Sequence, residues 1–187
     1  MNGAQLRKYM EWSAAYYNTW KPGDLTVSFS PYIRAYNYDM FAGVNYEVNV
    51  AKEPGSRIEN LTWPDGTPVA DDDTFDIAVN NYRAVSQLLA PGVIYEEGDM
   101  PTLLEIDVRG DIGGVRELIR DYIVNVKGGI IIPACDANWR IIGNDWDGGL
   151  RRKAVELLAD GKLTIPTSED GRTPNVKAIT EEDVLAF

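Results

Sequence analysis

Two short runs hold the residue types from which a nucleoside-phosphate site is built. Tyr36-Asn37-Tyr38-Asp39 brings aromatic rings and hydrogen-bonding side chains together, and Asn80-Asn81-Tyr82-Arg83 adds amides, another aromatic and a guanidinium. A base stacks on an aromatic face, amides meet its edge or the ribose, and Arg meets phosphate. The candidate binding residues are therefore Tyr82, Asn81, Arg83, Tyr36, Asn37 and Asp39. Tyr and Asn near strand ends also serve structure, so from the residues alone both readings stand.

Other chemistry is curtailed by composition. The chain has no histidine and a single cysteine, Cys135. Imidazole acid/base catalysis, Ser-His and Cys-His nucleophiles and nearly every zinc or two-metal hydrolytic centre are thereby removed. Asp71-Asp72-Asp73 invites a cation, because hard metals take several carboxylate oxygens. It lacks the spacing of a calcium loop, however, and a capped turn is the simpler reading. Gly110 to Gly114 fits neither nucleotide fingerprint. Cys135 has no basic or imidazole neighbour in sequence and is expected as a buried thiol. Paired carboxylates can run acid/base chemistry unaided, but no spacing nominates a pair. No catalytic residue and no metal ligand is assigned.

A formal net charge of −11 argues against a nucleic-acid polymer as partner, since such proteins cluster Lys and Arg on phosphates. No apolar run approaches the roughly 18 residues of a membrane helix. The first residues carry charges where a signal peptide would be apolar, and read as an amphipathic helix.

The positioning elements follow from periodicity. Leu6, Tyr9, Met10, Ser13 and Tyr17 share one helical face, with Arg7, Lys8 and Glu11 off it. Val44, Tyr46, Val48 and Val50 alternate with polar residues as a half-buried strand. Arg57 to Trp63 reads as a second strand, and Phe75 to Val79 as a third in the same sheet. Asn80 to Met100 reads as loop. Asp111 can cap a helix with Ile112, Val115, Leu118, Ile119, Tyr122 and Val126 on its core face, ended by Gly128-Gly129. Ile130 to Ile132 and Trp139 to Ile142 suit strands, and Asp147 can cap a last helix, Leu150 to Ala159. The expected class is α+β, with helices packed on a mostly antiparallel sheet.

In the same segments the chain resembles the C-terminal domain of the bacterial 5'-nucleotidase family, especially its 2',3'-cyclic-nucleotide 2'-phosphodiesterase/3'-nucleotidase branch. The resemblance is carried by GAQLRKYMEWSA (Gly3 to Ala14), YNYDMFAGVNYEV (Tyr36 to Val48) and GSRIENLTWPDGTPV (Gly55 to Val69). DIAVNNYRA (Asp76 to Ala84), VRELIRDYI (Val115 to Ile123) and IPACDANWRIIG (Ile132 to Gly143) continue it in order.

The resemblance implies a nucleotide-recognition domain over residues 1–143, lacking its beginning, and a C-terminal extension over 144–187. It implies a partner, an N-terminal metallophosphoesterase domain with two divalent metal ions, and a site outside the cytoplasmic membrane. This chain itself would hold no cofactor and would not hydrolyse phosphate esters alone. Tyr82 falls at the family's second base-stacking aromatic, while Tyr36 and Asn37 fall in the loop beside the base. The first stacking aromatic would lie upstream of Gly3. Arg83 either orients the ligand or pairs with a carboxylate, and Asp39 either contacts ligand or caps its turn. Trp139 falls at a core-packing position. After Ala84 the family's glycine-rich turn is replaced by Val85-Ser86-Gln87-Leu88-Leu89. That departure leaves open a free-standing cell-surface module that binds a glycan or a protein.

Overall fold

A computed structural model describes residues 1–187, which fall into two compact units: Met1–Met100 with Asn138–Phe187, and Pro101–Ala137.

The first unit is built on helix α1, Gly3–Ala14, and a small sheet. Asn2 caps α1, and Gln5 reaches back to the Asn2 backbone, so a reciprocal capping box satisfies the first orphan N–H groups. The apolar face expected of α1 is buried: Leu6, Tyr9, Met10, Ser13 and Tyr17 are all below a tenth exposed. Strand β1, Asn45–Asn49, alternates buried Tyr46 and Val48 with half-buried polar residues. Strand β2, Ile58–Thr62, pairs with it antiparallel, Val48 opposite Ile58, with a bulge between Asn45 and Glu47. Strand β3, Trp139–Ile142, lies parallel on the other edge of β1, Tyr46 opposite Trp139. The class is α+β, and the sheet is mixed, in the order β2-β1-β3. The parallel pair is possible because β3 returns after a long excursion, free of a hairpin's antiparallel constraint. Trp139 packs on the core, stacked on Tyr46 with ring centroids 6.1 Å apart.

Phe75 to Val79 is extended but lies outside the sheet. The outer edge of β2 is occupied by its own returning turn, where the Val69 N–H bonds the Leu61 carbonyl and the Trp63 N–H that of Thr67. The end of β2 nearest Trp63 is thereby taken on that side. Asn80 to Met100, expected as loop, opens with a helix instead. The Asn80 side chain accepts from the Arg83 N–H at 2.8 Å and starts α2, Asn81–Arg83, which continues as a π-helix over Ala84–Leu88.

Residues 144–187 pack with the opening of the chain. Asp147 caps helix α4, Gly148–Ala159, by accepting from the Gly149 and Leu150 N–H groups. Helix α5, Glu181–Leu185, begins at a Thr180 capping box. Ala154 and Leu157 of α4 and Val184 of α5 close a small core with Leu25 and Ile179.

The second unit contains α3, Val115–Asp121, drawn out as a π-helix over Tyr122–Val126. It buries no residue. The face expected to be core is open: Val115, Ile119, Tyr122 and Val126 are all exposed. A unit this short cannot enclose a core of its own. Asp111 does not cap the helix; Gly114 does, without a side chain, and Asp111 faces Arg109 instead. Ile130 to Ile132 forms no strand, and Cys135 is exposed rather than buried, for the same want of an enclosing core.

Candidate ligand-binding site

The two runs singled out in the sequence meet in space. A 3-10 turn over Ala35–Asn37 carries Tyr36 and Asn37, and α2 carries Asn81, Tyr82 and Arg83. The Tyr36 and Tyr82 side chains are exposed, at 67% and 58%. The segments that carry them are tied to each other through Arg83, which donates to the Tyr36 carbonyl. Asn81 is also exposed, and Asn37 half-buried.

Arg83 and Asp39 link the two segments. Arg83 is 4% exposed. Its Nη2 donates to the Tyr36 carbonyl at 2.7 Å and to Asp39 Oδ1 at 3.1 Å, and its Nη1 donates to Asn37 Oδ1 at 3.3 Å. Nε lies 2.7 Å from Asp39 Oδ2. Its N–H is not aligned on that oxygen, so the contact is an ion pair and not a hydrogen bond. The guanidinium also lies over the Trp12 ring, 5.1 Å from its centroid.

Asp39 in turn is fixed to α1. Its Oδ2 accepts from the Tyr9 hydroxyl at 2.6 Å, its N–H donates to Ser13 Oγ at 2.7 Å, and its carbonyl accepts from Ser13 Oγ at 3.0 Å. Burial, and then the hydrogen bond to Asp39, push the Tyr9 phenol well above its ordinary range. Sequence patterning placed Tyr9 and Ser13 on the core face and gave Trp12 no role. The usable signal was a hydroxyl, Ser13, on an otherwise apolar face.

Beside this network runs a cleft of about 670 Å³, which the sequence did not foretell. Phe41, Val44, Trp63 and Ile77 form its apolar wall, and Asp39, Asn80 and Arg83 one polar end.

No metal centre accompanies it. Asp73 of the acidic run accepts from Trp63 Nε1 at 3.0 Å and from the Ala70 N–H at 2.9 Å, which makes it a turn residue. Nowhere are three His, Cys, Asp or Glu side chains gathered as a metal ion needs.

The arrangement is a small α+β scaffold with exposed aromatic and amide side chains next to the Arg83–Asp39 ion pair. Comparison with known proteins gives a family match. Residues 1–87, just under half of the chain, match the 5'-nucleotidase, C-terminal domain family. The chain is 31% identical over 157 residues to the Trifunctional nucleotide phosphoesterase protein YfkN of Bacillus subtilis, a match spanning 75% of this chain and 10% of that protein. It is 32% identical over 168 residues to a 2',3'-cyclic-nucleotide 2'-phosphodiesterase/3'-nucleotidase of Haemophilus influenzae, spanning 76% of this chain and 23% of the relative. A crystal structure from Staphylococcus aureus described as a 5'-nucleotidase superposes with a TM-score of 0.54 at 31% identity, over 75% of this chain and 26% of that one. The chain thus corresponds to a C-terminal-domain portion of larger phosphoesterases, and spans less than a third of their length.

Proposed function

We propose that this chain is the nucleotide-recognising part of a phosphoesterase that acts on 2',3'-cyclic nucleotides, or on 3'- or 5'-nucleotides, outside the cytoplasmic membrane. The observation that carries the reading is that Tyr36 and Tyr82 are both exposed, on segments held together through Arg83. Tyr82 stacks on the base, while Asn81, Tyr36 and Asn37 supply its edge and ribose contacts. The names of the relatives support a nucleotide as ligand.

Hydrolysis belongs to an N-terminal metallophosphoesterase domain. With no histidine and no gathered carboxylates, the residues present do not fit a pair of divalent metals, and no chemical step is assigned to them. The isolated chain supplied with Mg²⁺, Mn²⁺ or Zn²⁺ is expected to leave bis-p-nitrophenyl phosphate intact. Metal-dependent turnover would show that the chemistry lies in this part.

Binding is tested by titrating adenosine 3'-monophosphate and following backbone amide shifts. Saturable shifts at 36–39 and 81–83 are expected, with a Kd in the millimolar range, about −4 kcal/mol. Tyr82→Ala should remove one stacking contact, roughly 1–3 kcal/mol, and abolish measurable binding. Spectra that stay flat into tens of millimolar, or a Tyr82→Ala titration identical to wild type, would sink the reading.

A further inference from the structure

Resting on that reading, we infer that Arg83 and Asp39 are positioning residues. They hold the Tyr36–Asn37 turn against the helix that carries Tyr82, and neither touches the ligand.

The geometry separates this role from phosphate binding. The Arg83 side chain is 5% exposed, and its donors are turned onto the Tyr36 carbonyl, Asn37 Oδ1 and the Asp39 carboxylate, with Trp12 over its face. A phosphate could reach it only by displacing Asp39 or by adding a second anion beside that carboxylate, and like charges at such range repel strongly. Asp39 is equally committed, to Arg83, to Tyr9 and, through its backbone, to Ser13. The pair therefore joins three segments: α1, the 3-10 turn and α2. A turn fixed in advance gives up less freedom when a ligand arrives, which raises affinity without any new contact. Arg suits this bridge because its planar fork meets several acceptors at once, as the point charge of Lys cannot.

The test uses Asp39→Asn/Arg83→Met, a double variant that leaves no unpaired buried charge and so preserves the fold, with Arg83→Lys as its conservative companion. Two probes are titrated, adenosine and adenosine 3'-monophosphate, which differ by the phosphate alone. Amide hydrogen exchange is measured without ligand at Asn37 and Tyr38, whose N–H groups close the turn on Arg34 and Ala35 at 2.8 and 3.0 Å.

In the double variant, exchange at Asn37 and Tyr38 is expected to quicken roughly tenfold or more while β1 amides stay protected. Both probes should weaken by the same factor, about tenfold. Arg83→Lys should not restore them fully. Loss of the nucleotide with adenosine spared would overturn the inference, because Arg83 would then be a phosphate contact. Unchanged exchange and unchanged affinities would overturn it as well. Should wild type bind neither probe, or Tyr82→Ala bind both normally, the base-binding reading falls. The exchange rates still decide whether the pair positions the turn.

Discussion

Asp39 is tied to Tyr9, Ser13 and Arg83, and its value lies in what it joins. Tyr9 brings it a short O–H donor from α1 at 2.6 Å, and Arg83 brings a buried cation from α2. Hydrogen bonds to an ionised acceptor are roughly twice as strong as neutral ones. Tyr9→Phe keeps the ring that packs edge-on against Phe41 and removes only that donor. It should therefore cost about 1–2 kcal/mol in equilibrium urea unfolding at neutral pH. The same substitution has an alkaline signature. The folded-state pKa of Tyr9 is raised from 10.0, so the stability its neutral phenol contributes is present below pH 10 and is lost as pH rises above it. Wild type should lose stability above pH 10 more steeply than Tyr9→Phe. Superimposable alkaline profiles would show that burial and Asp39 together do not hold the phenol in its neutral form.

At the scale of elements, the joint between α1 and β2 is made by two charged residues, Glu11 and Arg57. Glu11 lies off the apolar face of α1, yet its carboxylate accepts from the N–H groups of Arg57 and Ile58 at 2.9 and 2.7 Å, so it starts β2. Arg57 is fully buried, and Nη1 donates to the Ala14 and Tyr17 carbonyls at the end of α1, both at 2.7 Å. Its Nε donates to the Lys52 carbonyl at 2.8 Å. A cation at a helix C-terminus also meets the negative end of the helix dipole. Arg57→Met should strip the guanidinium donors from the Ala14, Tyr17 and Lys52 carbonyls, leaving the buried Tyr17 carbonyl unpaired, and cost about 3 kcal/mol, read as a lower urea midpoint. A loss under 0.5 kcal/mol, the range of an ordinary surface change, would mean that water replaces the guanidinium there.

These joints mark what patterning could and could not supply. Periodicity and caps found α1, β1 and α4, because Leu6, Met10, Val48 and Asp147 act within their own segments. It missed the partner of Phe75 to Val79, since only the folded turn at 67–69 shows that the β2 edge is taken. It read Asn80-Asn81 as loop because an N-cap and a turn use the same residue types. It found Tyr36, Asn37, Tyr82 and Arg83 as chemistry, but not the cleft beside them or the Trp12 and Tyr9 supports, which depend on how α1 docks. The open apolar face of α3 obeys the helical period with nothing packed on it. Periodicity assigns that face to a core, and the structure leaves it exposed, because the short unit packs nothing against it.

The whole molecule has an electrostatic character that no single site explains. It carries a net charge of −11 and no histidine, so no imidazole, with its ordinary pKa near about 6.5, can couple folding to pH in the neutral range. Its responsive groups lie at the two ends of the scale. Below neutrality stand carboxylates whose folded pKa values are depressed: Asp170 by Arg34, Glu47 by Asn60 and Arg140, Glu59 by Lys52, and Asp183 by the Thr180 backbone N–H. A depressed carboxylate contributes stability that is present above its unfolded value, about 4, and lost as pH falls through the folded one. Above neutrality stand tyrosines raised chiefly by burial, among them Tyr9, Tyr38 and Tyr95, whose contribution is lost as pH climbs past 10. The urea midpoint should therefore be flat from about pH 6 to pH 8.5 and fall on both flanks, below pH 4 and above pH 10. Protonating carboxylates also relieves the self-repulsion of so acidic a chain, which opposes the acid flank. The two effects differ in their response to salt. Repulsion across the surface is screened within a Debye length of about 8 Å at physiological ionic strength, whereas contacts such as Arg34–Asp170, at 2.8 Å, are shorter than that. Repeating the profile in 0.5 M salt should leave the acid decline in place. A midpoint that climbs steadily from pH 6 to pH 3 at low salt, and loses that climb at high salt, would show that net repulsion outweighs the individual carboxylate contacts.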